Sequence, residues 1–288
     1  GYLHQRTNLK WRSKNKRFSL RFEARSRVFY GSQVEGTEGF VESLSLDAGR
    51  WDGSWNWWES DDNKGVANTL IDRACLSYRA GLWRVDLGRQ RINWGRHLVW
   101  NPNDLFNAYN FFDFDYAERP GTDALRLRRL VGGNGMNELE FAIRPGGEDR
   151  KPLLASLFRW NAGGIDGQIL AARVEGAFAA GAAASAGWGA FGVKAEGTFF
   201  GPSETWSNGG LISASLGLDA SWGEGGFAQL AVLKSPEASG FLDFSLQSAQ
   251  RPWQLMPLPW TGMVQAMIPM GPRARFGTAI LLAPDDFS

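Results

Sequence analysis

The stretch Arg17-Phe18-Ser19-Leu20-Arg21-Phe22-Glu23-Ala24-Arg25-Ser26-Arg27-Val28-Phe29-Tyr30 falls into two sets when every second side chain is taken. One set is Phe18, Leu20, Phe22, Ala24, Ser26, Val28 and Tyr30; the other is Arg17, Ser19, Arg21, Glu23, Arg25, Arg27 and Phe29. Successive side chains of a β-strand point to opposite faces, so this run has one oily face and one strongly charged face. The run is 14 residues long. A globular strand usually spans about 5–6 residues, whereas a tilted strand crossing a bilayer needs roughly 9–11 in the apolar zone, plus ends. So many arginines on one strand face do not suit a dry protein core. A solvated sheet face is the competing explanation.

The alternation recurs along the chain. Leu3, Thr7, Leu9 and Trp11 alternate with His4, Arg6, Asn8, Lys10 and Arg12, and Trp83, Val85 and Leu87 with Arg84, Asp86 and Gly88. Leu139, Phe141 and Ile143 oppose Glu138, Glu140, Ala142 and Arg144; Phe191, Val193, Ala195 and Phe199 oppose Lys194, Glu196 and Thr198. Ile212, Leu216, Leu218 and Trp222 face away from Ser213, Ser215 and Asp219, and Phe276, Thr278, Ile280 and Leu282 from Arg273, Arg275 and Gly277. Turn-forming clusters near Ser13, Gly133, Asn161 and Pro269 separate these runs. No segment carries a long 3.6-residue period. The expectation is an all-β fold: one domain over 1–288, an antiparallel transmembrane β-barrel of about 14–16 strands.

Tight turns near Ser13, Arg79, Gly133, Asn161 and Pro269 are assigned to one rim, and the long connections Gly31 to Gly65, Arg91 to Asp123 and Gln250 to Trp260 to the other. Transmembrane barrels have short periplasmic turns and longer external loops. With this phase, a barrel with both termini in the periplasm needs a further strand at one or both ends.

Composition agrees with a wall greasy on one side and wet on the other. The 288 residues include 14 Trp, 19 Phe and 36 Gly, with a net charge of +1. That charge gives no bulk attraction to nucleic acid, and the basic residues follow strand alternation, so nucleic-acid binding is discounted. Cys75 is the single cysteine, which excludes a disulfide framework and a Cys-based zinc site; it reads as an ordinary wall residue. Residues 1–10 have neither the basic start nor the apolar core of a signal peptide. Gly176 to Val193 is uncharged but rich in glycine and alanine, too weakly apolar for a membrane helix; it reads as two small-residue strand ends around a turn.

Leu87-Gly88-Arg89-Gln90-Arg91-Ile92-Asn93-Trp94-Gly95 is followed by Trp100-Asn101-Pro102-Asn103-Asp104, Phe112-Asp113-Phe114-Asp115-Tyr116 and Glu118-Arg119-Pro120-Gly121-Thr122-Asp123-Ala124. A connection of about thirty residues is too long to be an idle loop, and its aromatic and acidic content lets it pack a small core of its own while meeting arginines. This block resembles the signature of a poorly characterised group of bacterial outer-membrane barrels, and the strand ending in Gly-Arg-Gln is similar to porin-like and alginate-export-like barrels. The resemblance implies a porin-type barrel with the block folded into the lumen; it implies no particular substrate and no catalytic residues.

Taking the charged face of each strand as the lumen, the pore-lining candidates are Arg17, Arg21, Glu23, Arg25, Arg27, Arg73, Arg84, Asp86, Arg89, Arg126 and Arg128. Arginine outnumbers lysine 24 to 7, and early acids such as Glu35, Glu38, Glu42, Asp61 and Asp62 lie in a loop, so one wall is expected to favour anions. The alternative is that these arginines pair with Glu23, Asp86, Glu138 and the block's aspartates, leaving little net field. The constriction candidates, within an insertion at 91–123, are Trp94, His97, Trp100, Asn101, Asp104, Asp113, Asp115, Glu118 and Arg119; an external lid is the other reading of the same residues.

Chemistry is poorly represented. His4 and His97 are the only histidines, so neither a triad nor a His-based metal site is supported, and no catalytic residue or cofactor is assigned. Asp113, Asp115 and Glu118 carry the oxygen donors calcium takes, but carboxylates beside Arg89, Arg91, Arg96 and Arg119 pair with them more readily. Gly187-Trp188-Gly189-Ala190-Phe191-Gly192 matches GxGxxG without a βαβ unit around it, so the match is accidental. The expected function is a non-enzymatic outer-membrane porin for passive diffusion of small hydrophilic solutes, anionic ones included. Its expected surroundings are the lipid bilayer and lipopolysaccharide, with a homo-oligomer or an outer-membrane complex as further partners. The alternatives are a structural or assembly barrel with a plugged lumen, and a soluble all-β carbohydrate-binding protein.

Overall fold

The computed structural model describes residues 1–31, 34, 54–60, 64–106, 121–132, 137–147, 151–203, 209–236, 251–271 and 274–282. The strands are β1 (Tyr2–Arg12), β2 (Phe18–Tyr30), β3 (Ser54–Glu59), β4 (Gly65–Ala80), β5 (Trp83–Gln90), β6 (Thr122–Val131), β7 (Asn137–Arg144) and β8 (Leu153–Ala162). They continue as β9 (Ile165–Val174), β10 (Ala177–Trp188), β11 (Phe191–Phe200), β12 (Leu211–Trp222), β13 (Gly226–Lys234), β14 (Trp260–Gly271) and β15 (Ala274–Leu282). All pair antiparallel in one sheet of 15 strands, in chain order except that β3 lies off the path against the upper part of β4. Neighbours in sequence are neighbours in space, the arrangement of an up-and-down barrel.

The connections alternate in length. Residues 13–17, 81–82, 132–136, 163–164, 189–190, 223–225 and 272–273 join strands at one rim; 31–64, 91–121, 145–152, 175–176, 201–210 and 235–259 join them at the other. The tight-turn rim is the one expected from the Gly and Asn clusters. One expectation changes: the long connection Gly31 to Gly65 contains a strand, β3, which extends the wall above β5. Residues 176–193 are strand, turn and strand as expected, and the first strand is nearly all of β10, followed by a turn at Gly189 and the start of β11. The GxGxxG match is that hairpin, with Gly187 opposite Gly192.

Side-chain alternation is clear on β7, β9, β12 and β13. Leu216, Leu218, Leu230, Val232, Ile169, Phe178, Phe199 and Ile280 are exposed on the outer face. Phe18, Leu20, Phe22 and Val28 lie on the same outer alternate of β2. Aromatic side chains collect near the tight turns: Trp11, Phe18, Tyr78, Trp83, Trp188, Phe191 and Trp222. Phe18 and Tyr78 pack across β2 and β4 with ring centroids 4.8 Å apart. Ile212 and Trp222 mark the two ends of the apolar face of β12. Ten residues at ~3.4 Å each, tilted by about 40°, rise about 26 Å, close to the ≈ 25 Å apolar band of membrane barrels.

The wall has one irregularity that reaches the lumen. The β2–β4 register slips between Glu23 and Ala24, opposite a bulge on β4. The extra residue turns both Asp72 and Arg73 inward, where Asp72 meets Arg25 at 3.0 Å and Arg73 meets Glu23 at 3.2 Å. On its other side β4 pairs with β3 up to Leu70 and with β5 from Ala74, which leaves a gap between them. The Arg89 guanidinium fills it, donating to the Ile71 carbonyl at 3.1 Å and, through Nε and Nη2, to both oxygens of Asp123 at 3.0 Å.

Candidate pore constriction

Half of the lumen wall is built from charge. Glu23 accepts from Arg6, Arg21 and Arg73 at 3.3, 2.6 and 3.2 Å. Asp86 takes Arg84 at 2.9 Å and Arg128 at 2.7 Å, with Ser77 also donating to it. Glu140 takes Arg126 through two bonds of 2.6 and 2.7 Å and Arg159 at 3.4 Å. Each of these three carboxylates is 2% exposed or less, so each is saturated by guanidinium groups that continue past it toward the lumen. A carboxylate surrounded by several arginines fixes the orientation of their forks.

The other half is built from small and neutral residues. β10 turns Ala177, Ala179, Gly181, Ala183 and Ser185 inward, β12 offers Ser213, Ser215 and Gly217, and β13 offers Gln229, Ala231 and Leu233. Residues 91–106 dock here. Trp94 donates Nε1–H to Glu140 on β7 at 2.6 Å, and its carbonyl accepts from Gln168 on β9, also at 2.6 Å. Arg96 N–H and His97 N–H donate to one oxygen of Glu196 on β11 at 2.7 and 3.4 Å, and Asn103 N–H to the other at 2.6 Å. Thr198 donates to the Pro102 carbonyl at 2.9 Å and Ser215 to the Trp100 carbonyl at 3.2 Å. One short segment reaches β7, β9, β11 and β12 because the sheet curls around it.

Two apolar clusters complete the docking. Ile92, Trp94, Leu105 and Phe106 pack with Leu153, Leu157, Leu170, Phe200 and Trp253; Val99 and Trp100 pack with Ala231, Leu233, Leu255, Met256 and Met263. Residues 251–259 therefore fold inward too. The wall's glycines are cut to fit: a Cβ on Gly217 would run into the His97 ring, and one on Gly181 would lie 2.6 Å from Asn103 Oδ1. Burial, with Lys194 adding to it, pushes the His97 imidazole down to about 4.

The structure brings together Arg21, Glu23, Arg25, Arg27, Arg73, Arg84, Asp86, Arg126 and Arg128 on the inward alternates of β2, β4, β5 and β6. Arg89 does not join them. It is 4% exposed, on the alternate shared with Trp83, Val85 and Leu87, and it seals the wall gap instead. Arg17 lies in the β1–β2 turn, where its N–H donates to Asn15. Trp94, His97, Trp100, Asn101 and Asp104 are all buried in the docked segment. Asp113, Asp115, Glu118 and Arg119 fall outside the described residues, as do Glu35, Glu38, Glu42, Asp61 and Asp62. The sequence reading overlooked the anchors Glu140, Gln168 and Glu196. Glu196 had a signal, as the lone carboxylate on a strand whose other inward residues are Gly192, Lys194, Thr198 and Phe200.

No family model and no curated protein sequence matches this chain. Solved structures do. OmpF of Salmonella typhi, in complex with daunomycin, superposes with a TM-score of 0.56 at 11% identity, over 99% of this chain and 84% of that one. The fold is that of the porins. A Rhodopseudomonas blastica porin, as a triple mutant, gives a TM-score of 0.51 at 9% identity over 98% and 85%. At such identity the porin fold is what is shared, and no side chain of the constriction is carried over from either structure.

Proposed function

We propose that this porin-fold chain sits in a bacterial outer membrane as a passive channel for small hydrophilic solutes, with a preference for anions. The observation that carries the reading is the uneven lumen. The docked segment covers the neutral wall of β9–β14 and leaves the arginines of β2, β4, β5 and β6 across from it. The band of exposed aliphatic residues closed by aromatics at the tight-turn rim supports a bilayer setting, since such girdles sit at membrane interfaces. A ladder of fixed guanidinium groups concentrates small anions in the passage. Pairing removes part of that field, yet Glu23 and Asp86 are each shared among several arginines, so the balance stays positive.

The test is single-channel recording in planar bilayers under a salt gradient. The expected result is steady conductance with a zero-current potential on the anion side. Silence from a correctly inserted barrel would favour the structural, plugged alternative; a potential on the cation side would leave the pore and remove the anion preference.

A further inference from the structure

In the tight-turn half of the lumen, the charged wall lines an open cavity of about 750 Å³ that Arg91, at the start of the docked segment, also borders. Its floor is made of short side chains. Across the strands, Arg12 stands beside Ser19 and Ser19 beside Ser77; on the next inward rung, Lys10 stands beside Arg21 and Arg21 beside Cys75. Ser19, Cys75 and Ser77 thus leave a hollow, bordered by Lys10, Arg12 and Arg21 on one side and by Arg84 and Arg128 on the other. The acids nearby add little negative surface, because Glu23 and Asp86 are each 2% exposed beneath their arginines. Lys10 and Arg12 are exposed and make no ion pair among the described residues.

We infer that this hollow is a binding site for a small solute carrying two or more carboxylate or phosphoryl groups. Its volume falls within the ~300–1,000 Å³ of small-molecule sites. Two cationic rims face each other across a floor with hydroxyl groups. A solute charged at both ends engages both rims, whereas chloride engages one. Arginine forks match planar and tetrahedral oxyanions through paired hydrogen bonds, which a diffuse cationic lining does not provide. Passage of such solutes then saturates, while passage of chloride does not.

The inference rests on the pore reading only for the route by which the solute arrives, so binding is measured apart from conduction. Calorimetric titration of the detergent-solubilised full chain with citrate, and separately with pyrophosphate, should give saturable binding near one site per chain. Whichever probe binds more tightly assigns the class to carboxylate or phosphoryl solutes. The double substitution Lys10→Ser, Arg12→Ser removes two exposed cations with no ion pair among the described residues, so the fold should stand, as checked by heat-modifiable migration; affinity should fall about tenfold or more. Ser19→Phe keeps every cation but fills the floor, and it should weaken binding by a similar factor. In bilayers, either probe should interrupt the chloride current of wild type in a saturable way. No heat with either probe overturns the inference even if the pore conducts, and so does undiminished binding in the Ser19→Phe variant. A chain that binds citrate but passes no current keeps this site and loses the pore reading.

Discussion

The two halves of the lumen wall solve the same problem in opposite ways. Along β1, β2 and β4–β7, charged side chains occupy most of the inward face and satisfy one another, with Glu23, Asp86 and Glu140 each held by more than one arginine. Along β9–β15, the inward face is dominated by Ala, Gly, Ser and a few aliphatics, and the space is filled by another piece of chain, residues 91–106. The segment reaches the charged half through Trp94, which donates to Glu140, while most of its apolar contacts lie on β8–β14. On the proposed channel reading, one half is the surface that solutes meet and the other half is the mounting for the docked segment. Each half should therefore respond to mutation in its own way.

The largest effect is expected at Glu196. Its carboxylate accepts three backbone N–H groups of the segment, and a buried donor left unmet costs about 1–3 kcal/mol. Glu196→Leu should release the segment and raise single-channel conductance with frequent switching between levels. Loss of an acid from the charged half, as in Glu23→Leu, should leave conductance steady because no part of the segment hangs on it. Equal switching in both variants would erase the distinction between the halves.

A charge on the outer face should cost somewhat less and cost the same in both halves. Leu218→Arg on the neutral half and Phe22→Arg on the charged half, each four residues in from a rim aromatic, should each destabilise the folded barrel by about 2–4 kcal/mol. Urea titration in lipid vesicles measures this; a much smaller loss for Phe22→Arg would mean that its strand does not face lipid.

Acid should loosen the neutral half. His97, docked against β11 and β12 with Lys194 and Asp219 acting on it, is held down to about 4, below the ~6.5 of a free imidazole. A detached segment binds the proton first. Docking is thus at full strength above pH ~6.5 and weakens as pH falls toward 4. Conductance switching should grow over that interval and vanish as a pH effect in His97→Gln. Switching that is independent of pH in wild type would show that His97 stays docked in either protonation state.

The smallest stability change belongs to the exposed arginines. Arg21 and Arg84 have side chains 47% and 37% exposed, and their acids keep other partners. Arg21→Ser with Arg84→Ser should cost less than about 1 kcal/mol per pair, yet move the zero-current potential toward zero. An unmoved potential would place the selective field elsewhere.

The sequence showed the charged half far more clearly than the neutral one, for a physical reason. Arg21, Glu23, Arg25 and Arg27 against Phe22, Ala24, Ser26 and Val28 is a contrast between alternate residues, which is what strand geometry exposes. On β10, Ala179, Gly181 and Ala183 face in while Ala180, Ala182 and Ala184 face out, so the two faces look alike and the pattern gives the turn but not the length of the strand before it. Arg89 misleads in another way. Its strand and spacing are right for the lumen family, but its parity is that of Leu87, and only the step from β3 to β5 along β4 shows the gap that it fills. The length and aromatic content of the 91–123 block pointed to a folded-in segment or an external lid; of that block, residues 91–106 pack against the inner face of the sheet. Its hydrogen-bonding anchors lie 46 to 115 positions away, as for Trp94 with Glu140 and Ser215 with Trp100, a distance at which local pattern carries no information.

Those same separations set an order of events during assembly. The segment is made between β5 and β6, but most of its contacts are with strands that follow, as far as Met263 on β14. Contacts of high sequence separation form late, because the intervening chain must be ordered before they gain anything. The constriction cannot seat until the last strands have curled into place. By this order the sheet precedes its own filling, and the inner face of β9–β14 is the last surface of the described residues to be covered.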